Sequence, residues 1–142
     1  AADGRPVLRP LIMCPNRTLS TTTARAILSP EVRRRDATHN IARAALLVHA
    51  LAEDASRLFA ATADRLHQDE RSAHMPQSVG LVHVLRSQGV PAVISGAGPT
   101  VLIPLDAPDD IARIVREVVE EPDDWRLARV PLAQEGIHTV LS

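Results

Sequence analysis

The chain's 142 residues predict an α+β fold in which an antiparallel sheet is backed by helices on one face. Three observations carry this prediction. An apolar, strand-like run comes first and is followed by a long stretch of helical periodicity. Two short Val- and Ile-rich runs then flank a glycine turn. An amphipathic helix and a further apolar run close the pattern, giving strand, helices, strand, strand, helix, strand.

Residues 7–14 (VLRPLIMC) read as the first strand, and Pro10, which cannot donate to a ladder, is expected to place it at an edge or a bulge. After the loop PNRT, Ser20 stands where an N-cap belongs, ahead of a short helix over 21–28. Ser29-Pro30 ends that helix and offers proline to the first turn of the next. Over 31–54, Val32, Ile41, Ala45, Leu47, Val48 and Leu51 recur near helical spacing, with residues 33–36 and Arg43 largely on the other side. Further helices are expected over 56–66 and 77–88, joined by the polar HQDERSAHMP and stopped at Gly89. Strands at 92–95 and 100–105, a helix opening at Asp106 and running to 120, and strands at 125–130 and 137–141 complete the order. This is the ferredoxin-like split βαβ arrangement, expanded by helices in its first crossover. One domain spanning 1–142 is expected, with no internal repeat or linker.

Composition excludes several classes of function. A net charge of -1 indicates neither a nucleic-acid surface nor a membrane-binding face. All 16 basic residues counted as Lys or Arg are Arg, so no lysine Schiff base or lysine phosphate clamp is available. One Phe, one Trp and no Tyr leave no aromatic platform for stacking bases. The single Cys14 cannot form an internal bridge and suits a reducing compartment, no apolar run approaches a membrane span, and the opening AADGRPV lacks the features of a signal peptide, so a soluble cytoplasmic protein is expected. His67 and His74 lack the further ligands at fixed spacing that zinc needs, and no metal site is expected.

Four stretches have residue types suited to chemistry. In Ser20–Arg25 (STTTAR), Thr21 and Arg25 are four apart on one helical face, where free amides, a hydroxyl and a guanidinium suit a carboxylate or phosphate; a simple Ser cap beside a solvated Arg fits the same spacing. In residues 64–71 (DRLHQDER), Arg65, His67 and Arg71 form either a second anion grip or a charged helix end. The turn Ser95, Gly96, Ala97, Gly98, Pro99, Thr100 lets backbone approach a ligand or another domain closely, or serves only as a tight hairpin. It matches neither GxGxxG nor a Walker loop. Asp36, Asn40 and Arg43, at i, i+4 and i+7, make a polar stripe that faces either a cleft or solvent.

In this order and spacing the four stretches resemble homoserine kinases of the GHMP small-molecule kinase family. The family pattern is a strand ending in Pro, S-T-x-x-A-R with a following Leu-x-Pro, a D-A-x-x-N-x-x-R-A-A-L-L helix, D-R-L-H-Q-x-x-R with a Pro beyond, and S-G-A-G-P-T. The matching residues here are Ser20–Arg25 with Leu28 and Pro30, Asp36–Leu47, Asp64–Arg71 with Pro76, and Ser95–Thr100. The resemblance covers positions 10 to 105 and implies the family's carboxyl-terminal domain. It implies substrate-carboxylate roles for Arg25 and Arg71, a place for Thr21 beside the reacting hydroxyl, and a place for Ser95–Thr100 lining the cleft near substrate and phosphates. It assigns no catalytic residue to this chain.

Departures from the pattern are equally specific. Asp69-Glu70 stands where the family more often has Pro and an aromatic, and no P-x-S-S-G-L-G-S-S phosphate loop occurs in the sequence. The resemblance therefore implies that ATP and Mg2+ are bound mainly by an amino-terminal domain absent from this chain. L-homoserine and that amino-terminal domain are the expected partners, and a homodimer is compatible with both. The implied activity is transfer of the ATP γ-phosphoryl group to homoserine's side-chain hydroxyl in threonine biosynthesis, with this chain alone inactive. A non-catalytic ferredoxin-like module that binds an amino acid or a protein is the alternative. The face around residues 20–25 and 95–100 is expected to be exposed and partly apolar.

Overall fold

In a computed structural model that describes residues 7–133, four strands form one antiparallel sheet. They are β1 (Leu11–Pro15), β2 (Val93–Ile94), β3 (Val101–Ile103) and β4 (Trp125–Arg129), in the order β2-β3-β1-β4. The helices are α1 (Thr21–Ala26), α2 (Arg34–Ala52), α3 (Leu58–Ala61), α4 (Pro76–Ser87) and α5 (Ile111–Val118). The strand order and the long first crossover are those of the expanded split βαβ fold expected from the sequence. The strand expected at 137–141 lies outside the described residues.

Register explains the core. Leu11 pairs with Ile103, and Met13 with Val101 and Leu127, so alternation turns Leu11, Met13, Val101 and Ile103 to one face. There they pack with Val79, Val82 and Leu85 of α4 and Ile114 and Val115 of α5. Burying each such side chain contributes about 1.5–3 kcal/mol. Ile12, Leu102, Val93 and Ala128 form one register row on the opposite face and are half-buried.

Boundaries move where local chemistry outweighs periodicity. The first strand is central, not an edge: it begins only after Pro10, whose carbonyl accepts from the Val130 amide at 3.0 Å, so the missing proline N–H costs no ladder bond. The second helix starts at Arg34 instead of residue 31, because the Ser29 hydroxyl bonds the Glu31 carbonyl and the Ser29 amide bonds the Glu70 carboxylate, committing the linker to a turn. The helix expected over 56–66 shortens to a single 3-10 turn and α3, ended by Thr62, whose hydroxyl donates to the Leu58 carbonyl at 2.7 Å. At α4 both end signals hold. Pro76 occupies the first turn, and Gly89, at φ +82°, closes the helix with Gly89 N–H donating to Arg86 O and Val90 N–H to Leu85 O.

The largest departure concerns α2, which has its expected apolar side turned to solvent. Ile41, Val48 and Leu51 are exposed, whereas Asp36, Asn40 and Arg43 turn inward. A second small cluster, Ala50, Leu58 and Ala61 with Leu46, Leu47 and Leu105 against it, joins α2 to α3 and the sheet end. No helix among the described residues is long and apolar enough to cross a membrane.

Candidate functional site

The site is assembled from α1, the segment 64–71 and the β2–β3 turn. Ser20 caps α1 from an extended conformation, its Oγ accepting the Thr23 amide at 3.0 Å and meeting the Thr23 hydroxyl at 2.7 Å. Thr23 is thus spent on the cap, while the Thr21 and Arg25 side chains are exposed and have no hydrogen-bonding or charged partner among the described residues. Fully buried Ala24 anchors this short helix.

Arg71 ties the parts together. Only 7% exposed, it donates from Nε to the Ala24 carbonyl at 3.1 Å and from Nη1 to the Gly96 carbonyl at 3.2 Å. Both acceptors are neutral, and no carboxylate pairs with this guanidinium among the described residues. A nearly buried cation held only by carbonyls favours an incoming anion, because burial makes an unpaired charge costly. Arg25 follows Ala24 directly, so α1 presents it beside the same corner.

Asp64 holds this segment in place. It accepts from Asn40 Nδ2 at 2.7 Å, from the His67 and Gln68 amides at 2.8 Å each, and from His67 Nδ1 at 2.9 Å. Burial alone would raise its pKa; the donors from Gln68, His67 and Asn40 more than offset this and bring it down to about 2. Asn40 Oδ1 accepts from the Arg65 amide, and Gln68 Oε1 accepts from the Ile94 amide of β2 at 2.8 Å. The polar stripe on α2 is therefore a structural brace, with Asp36 reaching Arg65 at 3.6 Å and Arg43 the Ala60 carbonyl at 3.4 Å. Asp64 and Gln68 were not singled out individually from the sequence, whereas Asn40 was read as part of the polar stripe on α2. An Asp followed at i+3 and i+4 by groups whose amides it can cap was the available signal.

This brace sets an acid limit. Because the folded pKa of Asp64 lies below the ordinary 3.8, its contribution is complete above that value and is lost as pH falls towards 2. Partial solvation reduces it to about 1–2 kcal/mol. Urea unfolding should show wild-type stability falling between pH 4 and pH 2, with a flatter profile for Asp64→Asn; parallel profiles would show that Asp64 is not the titrating brace.

The glycine turn is a tight hairpin that also meets the site. The Ser95 amide bonds Thr100 O at 2.8 Å, and the Gly98 amide bonds Ser95 O at 3.1 Å. Gly96 and Gly98 adopt φ +60° and +85°. Gly98 packs tightly: a Cβ there would lie 2.5 Å from Met75 Sδ and 3.1 Å from Ile94 Cγ2, whereas one at Gly96 would meet nothing within 4 Å. Buried Ser78 fixes the turn to α4 by donating to Pro99 O at 2.7 Å. Among the described residues the Thr100 hydroxyl makes only a long 3.7 Å contact with Cys14 Sγ. Ser95, Ala97, Pro99 and Thr100 are half-buried and Gly96 is exposed, so the turn is outside the chain's own core.

Cavities flank the turn. One of about 460 Å3 is lined by Arg71 and Gly96 with Asn40, Arg43, Asp64 and Gln68. A second of about 370 Å3 is lined by Pro99 with Thr18, His74, Gln77 and Ser78. Thr21 and Arg25 line neither, so the structure unites Arg71 with the glycine turn and leaves Thr21 and Arg25 on the adjoining open surface. No group of three His, Cys, Asp or Glu side chains that could hold a metal ion converges among the described residues.

Residues 42–124 match the model of the family described as GHMP kinases C terminal. A homoserine kinase of Streptomyces coelicolor is 46% identical over 127 residues, covering 89% of this chain and 40% of that protein. One from Mycolicibacterium vanbaalenii is 53% identical over 83 residues, or 58% of this chain and 26% of that protein. The chain thus spans well under half the length of these relatives. A crystal structure of homoserine kinase from Cytophaga hutchinsonii, 21% identical, superposes with TM-score 0.74 over 93% of this chain and 44% of that one, which establishes likeness of fold.

Proposed function

The chain belongs to the GHMP kinase C-terminal family, and from that membership we propose that it forms part of a homoserine kinase and supplies the substrate-carboxylate grip. The observation that carries this reading is Arg71, nearly buried, unpaired with any carboxylate among the described residues, and bonded to both α1 and the glycine turn.

Phosphoryl transfer to an alcohol depends mainly on positioning and charge stabilisation. In this reading Arg71 and Arg25 hold the carboxylate of L-homoserine, each charge-assisted bond contributing about 1.5–3 kcal/mol. Thr21, one turn before Arg25, lies beside the hydroxyl that accepts the phosphoryl group. Gly96, with open space on its Cβ side, lets the turn Ser95–Thr100 line the cleft closely near substrate and phosphates, although the Ser95 and Gly98 amides are already spent inside the hairpin. ATP and Mg2+ are bound mainly by a separate amino-terminal domain, as the resemblance implies, and the whole enzyme acts in threonine biosynthesis in the cytoplasm.

Calorimetry and a coupled kinase assay test this reading. The chain alone should give no turnover, and homoserine binding should appear when an amino-terminal GHMP kinase domain and nucleotide are added. Turnover by the pure chain would refute the division of labour. Tight homoserine binding to the chain alone would favour the non-catalytic module.

A further inference from the structure

Helix α1 is too short to hold its own place. At six residues it lies well below the roughly 12–15 at which an isolated helix becomes marginal, so the positions of Thr21 and Arg25 depend on tertiary anchors. Two of these anchors are consecutive in sequence. Arg71 Nε donates to the Ala24 carbonyl at 3.1 Å, and the Glu70 carboxylate accepts the Ser29 amide at 2.8 Å through Oε2. The first bond grips α1 itself, and the second holds the chain just past its C-terminal end.

The Ser29 bond has no substitute among the described residues. In the stretch 27–33 between α1 and α2, every other hydrogen bond stays within four residues along the chain. Pro30 has no amide to offer. Glu70, 41 residues away in sequence, is thus the one distant hydrogen-bond partner of this linker, and no ion pair holds its carboxylate elsewhere among the described residues. Because the Leu28 amide bonds the Arg25 carbonyl at 3.3 Å, the tie at Ser29 is passed on to the backbone that carries Arg25. The neighbouring Asp69 pairs instead with His83 Nε2 of α4, at 3.3 Å.

We infer that Glu70 is a positioning residue for the carboxylate grip: through the Ser29 amide it sets where α1 presents Arg25 relative to Arg71. The inference rests on the kinase reading above. Two guanidiniums serve one carboxylate only when their separation is fixed, and small misplacements of a gripping group are costly. Arg25 stands in the last turn of α1, next to the tie, whereas Thr21 stands in the first, held by the Ser20 cap. Loss of the tie therefore falls on the hold at the carboxylate, which governs KM, and spares the end of α1 beside the reacting hydroxyl.

Steady-state kinetics in the assembly with an amino-terminal GHMP kinase domain, together with amide hydrogen exchange on the 142-residue chain, test it. Glu70→Ala should raise KM for homoserine about three- to tenfold with kcat changed less than about twofold, and Glu70→Gln, which keeps an acceptor in place, should recover most of the loss. Added to Arg25→Ala, Glu70→Ala should have almost no further effect, because both remove the same contact. Asp69→Ala, whose tie runs to α4, should leave KM unchanged. Glu70→Ala should also speed exchange of the Ile27, Leu28 and Ser29 amides about tenfold. An unchanged KM, a fully additive loss on top of Arg25→Ala, or an equal rise from Asp69→Ala overturns the positioning role. Unchanged exchange overturns the tie itself, whatever the kinetics. A wild-type assembly that neither binds nor phosphorylates homoserine overturns the kinase reading and the positioning role with it, while exchange still reports on the tie.

Discussion

In the proposed homoserine kinase, assembled with an amino-terminal GHMP kinase domain, replacing Arg71 with Ala should lower kcat/KM for homoserine by about a hundredfold or more, and should also destabilise this chain. The first effect follows from the loss of charge-assisted bonds to a carboxylate at about 1.5–3 kcal/mol each. The second follows because the Ala24 and Gly96 carbonyls lose their donor, which costs about 1–3 kcal/mol for each group left unsatisfied. Arg25→Ala is the informative contrast. The Arg25 side chain is exposed and has no partner among the described residues, so its removal should leave the melting temperature within a degree or two while raising KM. Arg71→Lys keeps the charge but not the fork that spans two carbonyls, and should recover only part of both losses. If Arg71→Ala lowers stability yet leaves kcat/KM unchanged, Arg71 is a brace and the carboxylate grip lies elsewhere.

Gly98→Ala should be the most damaging change in the glycine turn, at about 2–5 kcal/mol of stability, from a residue forced to positive φ combined with overpacking. At φ +85° a new Cβ would meet Met75 Sδ at 2.5 Å and Met75 Cε at 3.0 Å, with Met75 already in the main core. Gly96→Ala shares the positive φ but enters open space, and should cost only about 1–2 kcal/mol. Chemical denaturation of both variants, and of Gly98→Ala combined with Met75→Ala, separates the two causes. The double variant should cost less than the sum of the single ones, because only the steric part is relieved. Equal losses at Gly96 and Gly98 would show that backbone strain alone governs the turn.

The order of elements could be read before any coordinates because local signals agreed with the tertiary result. The Ser20 cap, Pro76 at the start of α4 and Gly89 at its end act through neighbouring backbone groups, so their effect is visible in the sequence. The motif order from Ser20 to Thr100 was likewise legible, and it pointed to the family that residues 42–124 match. The centrality of β1 was hidden, since an apolar strand looks alike at an edge or in the middle and Pro10 suggested an edge. The two hydrogen-bonding sides of β1 are filled by β3 and β4, both distant in sequence.

For the candidate site, the sequence by itself determined which side chains were available: the arginines, the threonine and the glycines, at motif spacing. Only the tertiary structure decided that Arg71 lies nearly buried between α1 and the glycine turn while Arg25 stands free, because Arg71's acceptors are 47 and 25 residues away along the chain. The same holds for α2. Periodicity identified its two faces, but the bonds from Asn40 to Asp64 and from Asp36 to Arg65 turned the polar face inward. A hydrophobic stripe carries no information about which surface will cover it; that depends on where the partners of the opposite face are anchored.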